Sequence, residues 1–177
     1  MTSKLKVWCN KLTRKSNTEI ARQLGVRIGN RCHILADPYV CFGSEPFLVE
    51  LGDHVEVTGG CRFVTHDGAV WVLREEQELA MVDKFGKITV GNNVFIGLSS
   101  TILPGVTIGD NCIIGACSLV NKNIPSGEVW AGVPAKRICT VEEYKQRSMP
   151  YLDRTKGLSP EEKKKAICQN HPEWFES

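Results

Sequence analysis

The sequence lacks several features that would place it in common functional classes. It has no apolar run of about 18 residues, so no membrane-spanning helix is expected. The first ten residues carry charges with no continuous apolar stretch behind them, which predicts no secretion signal and a cytoplasmic protein. Lysine plus arginine number 22 and aspartate plus glutamate 20, and this near balance gives no reason to expect a nucleic-acid partner.

The eight cysteines show none of the usual spacings of a metal or redox site. No Cys-x-x-Cys pair occurs, which removes the signatures of zinc ribbons and thioredoxin-like proteins. A disulfide framework is typical of shorter, exported chains, whereas this chain has 177 residues and enough length for one domain with its own core. We therefore predict reduced thiols and no bound metal.

A six-residue repeat of aliphatic side chains dominates the second half of the sequence. Its members are Val90, Ile96, Ile102, Ile108, Ile114 and Val120. The residue four places after each of them is small or aliphatic. A period of six is not that of a helix, whose apolar face recurs at three and four. Short strands separated by turns at Gly, Asn or Asp explain the period, and three such strands would close one triangular coil around a buried aliphatic interior.

The same repeat occurs earlier in two shorter runs. Their predicted inward residues are Ile28, Ile34 and Val40, followed by Leu51, Val57 and Phe63. The next inward position should be residue 69, but the repeat restarts only at residue 90, an insertion of 21 residues. We predict an inserted loop at about 67–87. Long loops that leave a rigid repeat are commonly functional.

Short helices are expected at both ends of the chain. Residues 17–25 form a helical pattern that ends at a glycine, and residues 159–162 provide a serine N-cap, a proline at the first position and two acids. We predict an N-terminal helical cap at 1–25, a repeat domain at 26–139 and a C-terminal helical segment at 140–177. Such helices would cover the bare sheet edges of the repeat.

The repeat and two further segments resemble a known family. Residues 44–49 (Ser-Glu-Pro-Phe-Leu-Val) and 63–68 (Phe-Val-Thr-His-Asp-Gly) are similar to the hexapeptide-repeat acyltransferases, in particular to the subgroup associated with surface-polysaccharide acetylation. The resemblance covers roughly residues 26–139. It implies an all-β fold, a left-handed parallel β-helix (a hexapeptide-repeat solenoid) with an inserted loop and short terminal helices. It also implies transfer of an acetyl group from acetyl-CoA to a hydroxyl of a sugar or glycan precursor of the O-antigen or capsule type.

His66 stands at an outward position at the mouth of the inserted loop. In this family a histidine just before such an excursion acts as the general base, and the resemblance implies that role for His66. A largely neutral imidazole can take the proton that a sugar hydroxyl must lose. A carboxylate usually orients such a base. Asp67 is adjacent, while Glu45 and Glu50 lie about one coil earlier, and the sequence does not choose among them. Trp71 in the loop is a candidate sugar contact.

A second segment, residues 114–136, resembles the coenzyme A stretch of the family. The resemblance implies that the backbone amide of Ala116 meets the thioester region and that those of Asn121 and Lys122 contact the pantetheine and phosphate end. Cations can meet phosphate charge, and an indole can stack on adenine. The remaining candidate cofactor contacts are Trp130, Lys136 and Arg137.

The family resemblance also implies how the chain assembles. A prism filled by isoleucine and valine offers flat faces and no deep cleft, whereas small-molecule clefts commonly lie between domains or subunits. In this family a three-fold arrangement sets each cofactor groove between neighbouring prisms. We therefore predict a homotrimer with acetyl-CoA and a sugar acceptor bound at its subunit interfaces.

Other functions compete with this interpretation. Serine, an antibiotic or an amino sugar would be alternative acceptors for the same acyl donor. A zinc lyase of the carbonic-anhydrase type uses the same solenoid but needs three imidazoles on one metal, and none of the four histidines stands in that family's His-x-x-x-x-His spacing. A non-catalytic binding or structural solenoid would need neither the inserted loop nor the cofactor-like segment.

Overall fold

The computed structural model describes residues 15–175 and divides the chain into two compact units between Glu142 and Glu143. Residues 1–14 of the predicted N-terminal cap and the last two residues of the predicted C-terminal segment lie outside the described residues. No helix within the described residues is both long enough and apolar enough to cross a bilayer.

The described part of the first unit is built from short strands. In chain order they are Arg27–Ile28 (β1), His33–Ile34 (β2), Val49–Leu51 (β3), Val55–Val57 (β4), Arg62–Phe63 (β5), Ile88–Val90 (β6), Val94–Ile96 (β7), Thr101–Ile102 (β8), Thr107–Ile108 (β9), Ile113–Ile114 (β10), Leu119–Val120 (β11), Glu128–Ala131 (β12) and Lys136–Thr140 (β13). Two α-helices precede most of them, Asn17–Leu24 (α1) and Pro38–Cys41 (α2). Short 3-10 helices occupy Pro46–Leu48, Gly68–Glu75 and Gln77–Leu79.

The strands form three sheets that the chain visits in turn. The sheet orders are β1-β3-β6-β9, β13-β12-β10-β7-β4-β2 and β11-β8-β5. Consecutive strands β3, β4 and β5 lie in different sheets, and each pairs in parallel with the strand three places later. Three strands therefore complete one coil, as the six-residue period predicts. At the ends of the stack β1 pairs with β3, β2 with β4 and β10 with β12, and the antiparallel pair of β12 with β13 closes the largest sheet.

The interior of the coils contains the repeat residues. All six predicted inward positions from Val90 to Val120 are at most 1% exposed, and the residues four places after each are also buried. Leu51, Val57 and Phe63 of the earlier coil are buried in the same cluster. The seven cysteines of the described residues are all free thiols, and Cys61 and Cys112 fill inward positions of this core.

The prediction of an inward Val40 is wrong. Val40 is 49% exposed and lies on helix α2 rather than on a strand. The reason is local, because the side chain of Asp37 accepts a hydrogen bond from the Tyr39 amide and Pro38 occupies the first helical turn, a strong helix start. Phe42, just after the helix, fills the core instead and stacks on Phe63 with ring centroids 5.2 Å apart.

This correction predicts a contrast in stability between two neighbouring residues. Phe42→Ala should lower the free energy of unfolding by about 3–5 kcal/mol because it removes a fully buried aromatic ring. Val40→Ala should change it by less than about 0.5 kcal/mol because the side chain is exposed. Chemical denaturation of both variants measures the difference. Equal losses at the two positions would contradict the observed packing.

Residues 64–87 leave the coil between β5 and β6. The neck of this loop is an antiparallel pair: the Asp67 amide donates to the Lys84 carbonyl and the Gly86 amide to the Thr65 carbonyl, both at 2.8 Å. Gly86 has no room for a side chain, since a Cβ there would lie 2.4 Å from the Gly105 amide nitrogen. The neck is therefore seated tightly against the following coil.

The predicted terminal helices are both present. Helix α1 begins with a capping box between Ser16 and Glu19, ends at Gly25 with a φ of 111°, and buries Ala21 in the core of the first unit. The second unit contains helix Pro160–Asn170 (α4), capped by Ser159. Helix Val141–Ser148 (α3) spans the sequence boundary between the units.

Candidate active site

His66 and Glu45 form a side-chain pair at the neck of the loop. The Nδ1 atom of His66 lies 2.9 Å from Oε2 of Glu45. His66 pairs with Phe85 across the neck, and Glu45 directly precedes the 3-10 turn Pro46–Leu48. The His66 side chain is 47% exposed and the Glu45 side chain 18% exposed, so that the imidazole faces solvent and its carboxylate partner is largely sheltered.

The carboxylate of Glu45 is held in its ionised form. Burial by itself would raise the pKa of Glu45, but hydrogen bonds from Ser44, His66 and Thr65 together keep that pKa below its usual value. The Thr65 hydroxyl donates to Oε2 of Glu45 at 2.8 Å. Glu45 is therefore suited to accept a hydrogen bond from a protonated nitrogen of the His66 ring.

The other two candidate carboxylates have different partners. Asp67 accepts from the Lys84 ammonium at 2.9 Å and from the Ala69 amide at 3.1 Å, and these contacts lower the pKa of Asp67. Glu50 pairs with Arg27 and with Lys87 on an outer sheet face. Of the three carboxylates that the sequence left open, Glu45 is the one that contacts the imidazole, whereas Asp67 contacts Lys84 and Ala69 at the loop neck.

A pocket of about 320 Å³ opens in front of His66. Its lining residues are Ser44, Glu45, His66, Asp67, Gly68, Val70, Trp71, Arg74, Asp83, Lys84 and Phe85. Trp71, one of these lining residues, is 74% exposed. Both cations of the pocket have a carboxylate partner: Arg74 pairs with Asp83, and Lys84 pairs with Asp67.

The cofactor-like segment lies on the last coils. Ala116 is exposed at the turn after β10, and the turn is tightly packed from behind. A Cβ at Gly97 would lie 2.6 Å from the Ala116 nitrogen, and a Cβ at Gly115 would lie 2.8 Å from the Ala131 Cβ. Asn121 and Lys122 are exposed after β11. Small residues thus leave the main chain at this turn open to an extended ligand.

Trp130 and Arg137 are joined through a residue that the sequence analysis did not single out. The Trp130 indole donates to Oε2 of Glu128 at 2.7 Å, and the Arg137 guanidinium donates to Oε1 of the same carboxylate at 2.9 Å. These contacts lower the pKa of Glu128. Lys136 is exposed beside them on β13. None of the predicted cofactor residues lines the His66 pocket of the same chain.

The other histidines are separate from this pocket. His33 is an exposed residue of β2, and His54 occupies a turn with a φ of 56° and contacts Asn93. His171, in the second unit, contacts Asp153. Within residues 15–175, no three His, Cys, Asp or Glu side chains are grouped so that they could hold a metal ion.

Comparison with known proteins places the chain in a family. The model of the bacterial transferase hexapeptide (six repeats) matches residues 87–122. Protein CapG of Staphylococcus aureus is 43% identical over 159 residues, which cover 90% of this chain and 91% of that protein. The chain belongs to the family of hexapeptide-repeat transferases, and it is an acyltransferase.

Two further relatives have named activities. The galactoside O-acetyltransferase of Escherichia coli K12 is 38% identical over 119 residues, covering 65% of this chain and 57% of that enzyme. A solved structure of galactoside acetyltransferase in complex with coenzyme A has a TM-score of 0.50 and 33% identity, covering 69% of this chain and 58% of that chain. The present chain thus spans little more than half of those enzymes.

Proposed function

We propose that this protein transfers an acetyl group from acetyl-CoA to a hydroxyl of a sugar or glycan precursor, with His66 as the general base. The observation that carries the proposal is the contact of His66 with Glu45 at the mouth of a pocket that also presents Trp71. The coil would be left-handed, as the resemblance to the hexapeptide-repeat acyltransferases implies. The similarity to a galactoside O-acetyltransferase supports the choice of a sugar hydroxyl.

In the proposed reaction each ring nitrogen of His66 has its own task. Glu45, an ionised acceptor, takes the Nδ1–H hydrogen bond and leaves the Nε2 lone pair free. Nε2 then accepts the hydroxyl proton as the acceptor oxygen attacks the thioester carbonyl. The carbon–sulfur bond breaks, and the imidazolium returns its proton to the departing sulfur. Glu45 stabilises the imidazolium between these steps.

The residues of the last coils fit coenzyme A. Ala116 lies on an exposed turn, and the adjacent coils pack so closely that Gly97 and Gly115 have no room for a side chain. Lys122 and Lys136 are exposed cations of the same segment and would meet phosphate charge. Arg137 would act with Glu128 to hold Trp130 in place. Coenzyme A in the structure of a related galactoside acetyltransferase supports the choice of coenzyme A as the ligand.

Because the cofactor residues do not line the His66 pocket of their own chain, we propose that each site combines two chains of a homotrimer. The trimer mass would be about three times 19.7 kDa. His66 would come from one chain and Ala116 from its neighbour.

This arrangement predicts complementation in mixed trimers of His66→Ala and Ala116→Trp chains. Random mixing should restore about one quarter of the wild-type activity, because one neighbouring pair in four joins an intact His66 to an intact Ala116. The measurement is turnover after the two inactive parents are unfolded together and refolded. Trimers that form but recover no activity would place each site within one chain. A fully active monomer in light scattering would contradict the assembly itself.

The pairing of His66 with Glu45 predicts a large effect of one isosteric substitution. Glu45→Gln keeps an oxygen near the ring but removes the charge that stabilises the imidazolium, and kcat should fall about 100-fold. The matched control is Glu50→Gln, which removes a carboxylate paired with Arg27 and Lys87 and should leave kcat within a few-fold. Equal effects of the two substitutions on steady-state turnover would argue against an orienting role of Glu45.

The acceptor itself is best identified by thiol release from acetyl-CoA. A panel of sugars, nucleotide sugars, serine and hydroxyl-bearing antibiotics covers the alternatives that the residues leave open. A sugar should give the highest kcat/KM. A preference for serine or for an antibiotic would overturn the assignment of the acceptor and leave the acyl-donor assignment standing.

A further inference from the structure

Thr65 places a hydroxyl inside the protein, directly behind the exposed imidazole. The residue is 2% exposed, whereas its neighbour His66 faces solvent. The Thr65 hydroxyl lies 2.8 Å from Oε2 of Glu45, and the His66 Nδ1 lies 2.9 Å from the same oxygen. An ionised carboxylate is an acceptor only, so the hydroxyl must donate. One carboxylate oxygen therefore receives two hydrogen bonds, one from the interior and one from the ring.

The Thr65 side chain is itself held in place. The main-chain carbonyl of Thr65 accepts from the Gly86 amide at 2.8 Å across the loop neck, and Gly86 is packed against the turn at Gly105. The branched Cβ of threonine restricts the first side-chain torsion, which narrows the directions that the hydroxyl can take. The position of the Glu45 oxygen is thus tied to the hydrogen-bonded neck of the loop.

Two other hydroxyls of the repeat, of the half-buried Thr58 and the buried Ser100, donate to main-chain carbonyls. The Thr58 hydroxyl donates to the Ile96 carbonyl at 2.7 Å, and the Ser100 hydroxyl to the Gly115 carbonyl at 2.9 Å. Both contacts are with the backbone of the next coil and serve the stacking of coils. The Thr65 hydroxyl instead donates to the Glu45 carboxylate, which also contacts the proposed base. A hydroxyl that served only the stacking of coils would not need this partner.

We propose that Thr65 is a positioning residue of the reaction. It fixes Oε2 of Glu45, and the fixed carboxylate holds the His66 ring in the tautomer that carries its proton on Nδ1. The inference rests on the proposed function in so far as it concerns turnover. The effect on the ring tautomer does not depend on any acceptor or donor being known.

The test is Thr65→Val, which keeps the shape and removes the hydroxyl. We expect kcat to fall about 3- to 10-fold, the loss of one hydrogen bond, with the Kd for coenzyme A unchanged. In ¹⁵N spectra the His66 ring should move from a single Nδ1–H tautomer toward the mixture of tautomers shown by free imidazole. Thr65→Ser should restore both readouts. If Thr65→Val does not fold, Thr65→Ala replaces it, because alanine lacks the two γ-methyl groups of valine. The same changes in kcat and in the His66 ring spectra are then expected.

Thr58→Val is the matched control, because it removes a hydroxyl that donates to a backbone carbonyl outside the pair. It should lower the melting temperature about as much as Thr65→Val and leave kcat and the His66 resonances unchanged. If both valine variants have the same kcat and the same ring spectra, the proposal for Thr65 is overturned. A His66→Ala variant that stays active would instead refute the proposed function, while the ring spectra would still decide the role of Thr65.

Discussion

His66→Ala should give a folded protein that binds coenzyme A normally and turns over at least about 100-fold more slowly, the usual scale for the loss of a general base. The fold should survive because the imidazole is 47% exposed and contacts the Glu45 carboxylate rather than the aliphatic core. The loss should appear in kcat and not in the affinity for coenzyme A, since the predicted cofactor residues do not line the His66 pocket of the same chain.

The matched control for this substitution is His54→Asn. His54 occupies a turn with a φ of 56°, a conformation that asparagine tolerates well, and it lies outside the pocket. Its removal should leave turnover within a few-fold. Activity of His66→Ala within a few-fold of wild type, measured with the true acceptor, would remove His66 from the reaction.

Ala116→Trp should abolish coenzyme A binding. The turn at Ala116 cannot withdraw to make room, because Gly97 and Gly115 already bring the backbone into close contact beneath it. The indole must therefore extend outward into the space proposed for the thioester end of the ligand. Calorimetric titration with coenzyme A measures the effect without an acceptor, which makes this prediction independent of the substrate.

Thr107→Trp is the comparison for the cofactor variant. It places the same indole on an exposed position of β9, where aromatic residues suit a strand surface. This variant should bind coenzyme A with unchanged affinity. An unchanged affinity in Ala116→Trp as well would place the cofactor elsewhere on the molecule.

The regular part of the fold follows directly from the sequence because each coil repeats the same physical requirement. An inward branched aliphatic at every sixth position and a small residue four places later determine where each strand and turn lie, and Val90 to Val120 follow this rule without exception. Val40 satisfies the spacing but not the fold. A local signal, the Asp37 cap followed by Pro38, competes with the repeat and starts a helix there.

The candidate site was predictable in part for the same reason. The break in the repeat places His66 at the mouth of the loop, and the family resemblance implies its role. The contact partner of His66 depends instead on where two irregular segments meet. Glu45 and Thr65 are 20 residues apart in sequence, and no period relates them. Asp67, the nearest carboxylate in sequence, pairs with Lys84 because the loop returns as an antiparallel strand beside it. Glu128, the residue between Trp130 and Arg137, gave no sequence signal beyond its charge.

The most direct test of the central claim is the chemical nature of the product formed from acetyl-CoA and the best sugar acceptor. We predict an acetyl group on a sugar oxygen, released by mild alkali as an ester is, formed together with free coenzyme A in equal amounts by the wild type. His66→Ala should form it at least about 100-fold more slowly. An alkali-stable amide product, or an ester formed at an undiminished rate by His66→Ala, would contradict direct O-acetylation with His66 as the base.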